Sequence, residues 1–164
     1  MKNWKDMERT VAKQLGTWWG CEFRRTPSSG AWGKQTFSHH KSKASDDFHG
    51  DIVAPKEARF PFSVECKAYK EVELYKALYG ASNIYEWWAQ CVRDTPKKMY
   101  PMLVMKENRK NPLVAISDKC YKRLESVIPW DLPHMTLSTG KTIHIFDLSD
   151  FLKVVNATKV MELL

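Results

Sequence analysis

This 164-residue chain contains no apolar run near the roughly 20 residues that span a bilayer; stretches such as Pro101 to Met105 are far too short. Cysteine is sparse and unpaired. Cys21, Cys66, Cys91 and Cys120 are separated by 45, 25 and 29 positions with no Cys-x-x-Cys, which excludes a disulfide framework and a zinc ribbon and leaves reduced core residues. With 7 glycines, 8 prolines and no repeat period, collagen-like and solenoid architectures are excluded, and 43% hydrophobic residues argue against disorder. Met1-Lys2-Asn3-Trp4-Lys5 lacks the apolar stretch of a secretory signal, so a cytosolic location and no membrane partner are expected. The length suits one domain over residues 1–164.

Charge is abundant and unevenly placed. Residues 1–44 hold nine Lys and Arg against three acids, whereas residues 45–164 hold seventeen against sixteen. Nearly all of the net +7 therefore lies in the first quarter. A local positive surplus attracts polyanions, of which nucleic acid is the commonest in the cytosol; a solvated lysine-rich surface is the plainer alternative.

Met7, Val11, Leu15 and Trp18 recur at helical steps and predict a helix over Asp6 to Trp19, with Gly16 or Gly20 at its exit and Glu8 one step from the apolar stripe. Arg24 to Gly50 is rich in Ser, Gly, Lys and His without a sustained period, so a long polar loop is expected. Asp51 to Ala54 reads as a short strand, Pro55 to Arg59 as a turn and Phe60 to Tyr69 as a second strand. Alternation sends Phe60, Phe62, Val64, Cys66 and Ala68 to one face, and Ser63, Glu65 and Lys67 to the other.

Pairing of these strands as a hairpin would bring Asp51 close to Glu65 and Lys67. Two carboxylates repel unless a cation lies between them, and hard oxygen ligands favour magnesium or manganese. Such an ion polarises a phosphodiester and activates water, while an adjacent ammonium offsets charge that develops in the transition state. A plain cross-strand salt bridge on a solvated face accounts for the same hairpin, and on hairpin geometry alone it is slightly the better reading, because such charge pairs are common in sheets.

Gly50-Asp51, a spacer and Glu65-Cys66-Lys67 resemble the bipartite signature of the PD-(D/E)XK nuclease superfamily, with Gly50 where proline is usual. Glu8 on a first helix, Arg25 followed by Ser28-Ser29-Gly30, and a later helix bearing Gln90 extend the likeness to archaeal-type Holliday junction resolvases, phage-encoded relatives included, over roughly residues 6–116. The resemblance implies an α/β, restriction-endonuclease-like mixed central sheet flanked by helices. It implies metal-site roles for Glu8, Asp51, Glu65 and Cys66, and catalytic roles for Glu8, Asp51, Glu65, Lys67 and Gln90. Arg25 and Ser29 become phosphate contacts, with Ser28 an equal match by position. The loop from Gly30 to Gly50 and the extra sequence from Tyr69 to Gly80 depart from the family pattern and bear on the DNA shape recognised.

The later helix is marked by Asn83 with Glu86 as a capping box, and by Ile84, Trp87, Trp88, Cys91 and Val92 as a buried stripe. From sequence, Gln90 serves equally as a ligand-holding amide or a surface one, and Trp87 and Trp88 read as core. Met102 to Lys106 and Leu113 to Ile116 read as strands, Ser117 as the cap of a helix to about Val127, and Thr136 to Phe146 as a hairpin before a short terminal helix. Gly140-Lys141-Thr142 lacks the first glycine and the strand-to-helix setting of a nucleotide-binding loop. His39, His40 and His49 lack cysteine partners at ligand spacing, so they read as phosphate contacts in a basic loop. Arg24, Lys34, Lys41 and Lys43 complete that DNA-binding surface.

The expected activity is magnesium-dependent cleavage of four-way DNA junctions, with manganese as a substitute. Two symmetric incisions from one site per chain suggest a homodimer. A restriction-like, repair or nicking nuclease acting on duplex or flapped DNA, and a non-catalytic DNA-binding module, remain the alternatives.

Overall fold

The computed structural model describes residues 4–26 and 49–164. Helix α1 (Trp4–Trp19) buries Met7, Val11, Ala12 and Leu15, the stripe expected from their spacing, and carries Glu8 on the same inward side. It stops at Gly20, whose φ of +83° favours glycine and whose amide donates to the Gly16 carbonyl at 2.8 Å. Both tryptophans at its end are anchored by their indole N–H groups, Trp18 to the Val155 carbonyl and Trp19 to the Ala58 carbonyl, each at 2.7 Å.

The chain continues through β1 (Arg24–Arg25), β2 (Ile52–Val53), a single 3₁₀ turn at Lys56–Ala58, β3 (Phe62–Tyr69), α2 (Leu74–Ala77) and α3 (Asn83–Asp94). It closes with β4 (Tyr100–Glu107), β5 (Leu113–Ser117), α4 (Asp118–Leu124), β6 (His134–Thr139), β7 (Lys141–Asp147), α5 (Leu148–Val154) and α6 (Ala157–Leu163). Among the described residues, seven strands form one sheet in the order β1-β2-β3-β4-β5-β7-β6, antiparallel except for the parallel β3–β4 pair. That one parallel pair needs a crossover, which α2 and α3 provide.

Helices cover both faces of the sheet, so the central strands read as continuous apolar runs. Met102, Leu103, Val104 and Met105 of β4 are all fully buried, yet they belong to different layers. Met102 and Val104 pack with α1, Leu124, Leu148, Phe151 and Val160. Leu103 and Met105 pack with Ile84, Trp87, Trp88 and Cys91 of α3. Among the described residues, no helix is long and apolar enough to cross a membrane.

Several local expectations are corrected. Arg24 and Arg25 begin the presumed loop as a strand, because β2 offers them a pairing edge with Arg24 opposite Val53 and Arg25 opposite Ile52. Strand β3 starts at Phe62, not Phe60, whose ring packs edge-on against Trp19 and Phe23. Helix α3 is capped by Ser82, whose hydroxyl accepts from the Ile84 amide at 3.2 Å. Asn83 is instead held by Glu73: its amide donates to the Glu73 carboxylate at 3.1 Å, and its side-chain oxygen accepts from the Glu73 amide at 3.2 Å. The insert after β3 is thereby tied to the start of α3. Ser117 caps α4 as expected, while the terminal helix is two helices, α5 and α6, divided by Val155 and Asn156. Gly140 occupies the β6–β7 turn at φ +76°, which accounts for the Gly-Lys-Thr run.

Gly50 has a different constraint. It has φ +73°, and a Cβ there would overlap the Val64 carbonyl oxygen, so neither an L side chain nor the proline usual at this motif position fits. Gly50→Ala is expected to cost about 2 to 4 kcal/mol in urea unfolding, combining left-handed strain with backbone overlap. Gly20→Ala, with open space around its Cβ, is expected to cost only about 1 kcal/mol.

Candidate active site

The site forms where β2 leaves the edge of β3. Ile52 pairs with Val64, and the Asp51 amide still donates to the Val64 carbonyl at 2.7 Å, but β2 extends no further along β3. The next outward amide of β3, on Cys66, is taken by the Asp51 carboxylate itself: Cys66 N donates to Asp51 Oδ2 at 2.8 Å. Thr26 clamps the segment from the other side, its amide on the Asp51 carbonyl and its hydroxyl on the Gly50 carbonyl, each at 2.9 Å. The aspartate is therefore held through backbone, with one carboxylate oxygen engaged.

Glu65 and Lys67 are placed by strand alternation on the face that α3 covers, in register with Leu103 and Met105. Lys67 Nζ lies 2.9 Å from Glu65 Oε1. Gln90 bridges the pair, donating from Nε2 to Glu65 Oε1 at 3.2 Å and accepting from Lys67 Nζ at 3.0 Å. Both groups of its amide are used, which assigns the orientation that sequence left open.

Glu8 enters from the α1 layer with 4% of its surface exposed and forms an ion pair with Arg25 of β1. The Arg25 guanidinium also lies over the Trp4 ring, 5.0 Å from its centroid. Glu8 is close enough to act electrostatically on Asp51. Burial, first, and then the charge of Glu65 push the Asp51 carboxyl up to about 7; the Cys66 amide and Lys67 oppose the rise and Glu8 adds to it. Desolvation, followed by the negative charges of Asp51, Glu8 and Glu65, keeps the Cys66 thiol protonated well above the usual thiol range. Cys66 thus contributes its backbone N–H, while its side chain packs against the α1-side core.

Of the residues singled out in the sequence, Glu8, Arg25, Asp51, Glu65, Cys66, Lys67 and Gln90 converge here. Arg24 is exposed and paired with Glu22 at 3.1 Å. Ser28, Ser29, Lys34, His39, His40, Lys41 and Lys43 lie outside the described residues. The sequence reading overlooked Thr26 and Trp4; neither carries a motif, and their roles appear only once β1 is seen beside β2. The remaining cysteines stay free, with Cys91 and Cys120 buried.

The donor set suits a hard divalent ion. Among the described residues, no three His, Cys, Asp or Glu side chains close around one point. Magnesium-like ions are nevertheless usually held by one or two carboxylates completed by water and substrate phosphate oxygens. Asp51 and Glu65 supply two such carboxylates; the Asp51 carboxyl is raised first by burial and then by the charge of Glu65, and a cation would offset that second contribution.

A mixed sheet flanked by helices, with an aspartate and a Glu-x-Lys strand meeting at the edge of its central pair, defines a nuclease of the PD-(D/E)XK class with the restriction-endonuclease-like fold. Residues 5–162 match the family described as Phage putative PDDEXK endonuclease, and the chain belongs to that family. No curated protein and no solved structure matches the chain. Nucleases of this superfamily generally use divalent metal ions.

The pH dependence follows from Asp51. Its folded-state pKa lies above its ordinary 3.8, so the folded chain holds this proton more tightly than the unfolded one. The associated stability is full below about pH 3.8 and is lost as pH rises through about 7. In metal-free protein, Asp51→Asn is therefore expected to melt above wild type at pH 8, by at most about 4 kcal/mol, with the gap closing towards pH 4. Divalent-ion affinity, read by titration calorimetry, should weaken as pH falls below about 7, because binding must displace that proton.

Proposed function

We propose that the chain is an endodeoxyribonuclease that uses magnesium, or manganese in its place, to hydrolyse phosphodiesters at four-way DNA junctions, acting as a homodimer. The observation that carries the chemistry is the convergence of Asp51, Glu65 and Lys67 under the Gln90 bridge. Asp51 and Glu65 hold the ion. When bound, it supplies Lewis-acid activation of the phosphate and lowers the pKa of a coordinated water. Lys67, kept in place by Glu65 and Gln90, donates to the phosphate oxygens as negative charge grows on them. Glu8 holds Arg25, whose guanidinium then serves a neighbouring phosphate; the negative field of Glu8 also favours a cation at Asp51.

The junction assignment is supported by the likeness in motif order to archaeal-type resolvases and by the basic first quarter, which suits backbone contacts rather than base reading. The homodimer is supported by stoichiometry: two matched incisions need two sites, and a two-fold pair provides them. The other substrate readings, duplex nicking or flap cutting, share the same chemistry.

With magnesium, a synthetic four-way junction is expected to be cut much faster than a linear duplex carrying the same arms. Equal rates would remove the junction claim. Lys67→Ala and Asp51→Asn are each expected to slow cutting by at least about 10²-fold while leaving junction affinity within about threefold. Unchanged cutting in both variants would overturn the enzymatic reading. Sedimentation of the free protein at the mass of one chain, with no pairing on DNA, would remove the dimer.

A further inference from the structure

The row of catalytic side chains on β3 does not end at Lys67. Strand alternation puts Tyr69 on the same face as Glu65 and Lys67, two residues further along. Helix α3 runs alongside in the opposite sense: Gln90 meets Glu65 and Lys67, and Trp87, one turn earlier, meets Tyr69. The Tyr69 and Trp87 ring centroids are 4.6 Å apart at 42°. Trp87 is buried beneath, whereas Tyr69 is 54% exposed. An aromatic ring is thus fixed against a rigid floor at the end of the catalytic row, with much of its surface in water.

Its setting favours a base over a phosphate. Residues 69–81 carry Lys70 and Lys76 against Glu71 and Glu73, no net charge in a chain of +7. Lys76 is moreover paired with Glu73 at 2.5 Å. At about 3.3 Å per strand residue, Tyr69 lies about 7 Å beyond Lys67, the span of about two stacked nucleotide steps. Bases within an intact duplex already have both faces stacked, so only an unpaired base can present its face to such a ring.

We propose that Tyr69, seated on Trp87, is a stacking platform for a nucleobase left unstacked or unpaired at a branch point, whether in an opened four-way junction or at a flap, one or two nucleotides from the scissile phosphate, and so selects branched DNA over intact duplex. The placement rests on the proposed cleavage at Asp51, Glu65 and Lys67. Stacking on one aromatic side chain is strong enough to set substrate preference and tolerates any base, because every base has a π-face.

The test reads binding without metal, so it stands apart from cutting. 2-Aminopurine is placed singly at the unpaired positions next to the branch of a flapped DNA and titrated with protein in EDTA. Wild type and Tyr69→Phe are expected to quench the probe at one or two of these positions. Tyr69→Ala should leave the probe bright and bind the flapped DNA about 5- to 100-fold more weakly, with less than twofold change on a fully paired duplex. Tyr69→Leu, which still covers Trp87 but has no aromatic face, should behave like Tyr69→Ala, and separates stacking from any loss of folding. Quenching retained in Tyr69→Ala, equal losses on both DNAs, or a Tyr69→Phe defect as large as that of Tyr69→Ala would overturn the platform. So would a change of oligomeric state in Tyr69→Ala, which would mark the ring as a contact between copies of the chain. Failure to cut any DNA, with the probe still quenched, would count against the nuclease reading and not against this one.

Discussion

The hydrogen bond from the Cys66 amide to the Asp51 carboxylate organises the molecule's chemistry, because it converts the end of a strand pairing into a charged site. A sheet edge that loses its partner exposes backbone donors, and these must be satisfied. Here the donor is satisfied by a side chain that is itself half-buried and lies beside Glu65 and Glu8. The consequence is a carboxyl pushed up to about 7, first by burial and then by the charge of Glu65. Gly50 is the geometric condition for this arrangement, since only a residue without Cβ lets the chain turn across the Val64 carbonyl.

The two covered faces of the sheet then divide the labour. From the α1 layer come Glu8 and, through it, Arg25, an ion pair close to the pairing of β1 with β2. From the α3 layer comes Gln90, which ties Glu65 to Lys67 and leaves the lysine a fixed reach. A cluster supplied by five separate segments of chain is held in place by burial of the helices that flank the sheet. Met7, Val11 and Leu15 seat α1, while Ile84, Trp87 and Trp88 seat α3. The apolar packing thus sets the precision of the polar site.

Much of this was legible beforehand. The helical stripes, the alternation in β3, the apolar run of β4 and the Ser117 cap rest on local periodicity and local hydrogen bonding, which residues express wherever they lie. The Asp and Glu-x-Lys motif likewise named the carboxylates and the lysine, and strand alternation was enough to put Glu65 and Lys67 on a common face. What failed was chosen by partners distant in the chain. Asn83 made the better capping signal, yet Glu73 claimed it and Ser82 became the cap. Arg24 and Arg25 had no strand pattern, yet the free edge of β2 made them one.

The amino-acid order by itself determined an α/β chain with a basic first quarter and an acid-acid-lysine motif, because composition and short-range spacing are written directly in it. Only the tertiary structure decided that Gln90 bridges Glu65 and Lys67, that Glu8 faces Arg25, and that Tyr69 rests on Trp87 with its ring in water. Each of those pairings spans 17 or more residues: Arg25 to Glu8 is 17 apart, and Gln90 to Glu65 is 25. Contacts at such separations depend on how helices and sheet pack, since the entropy of closing the intervening chain is offset only by burial of the whole core.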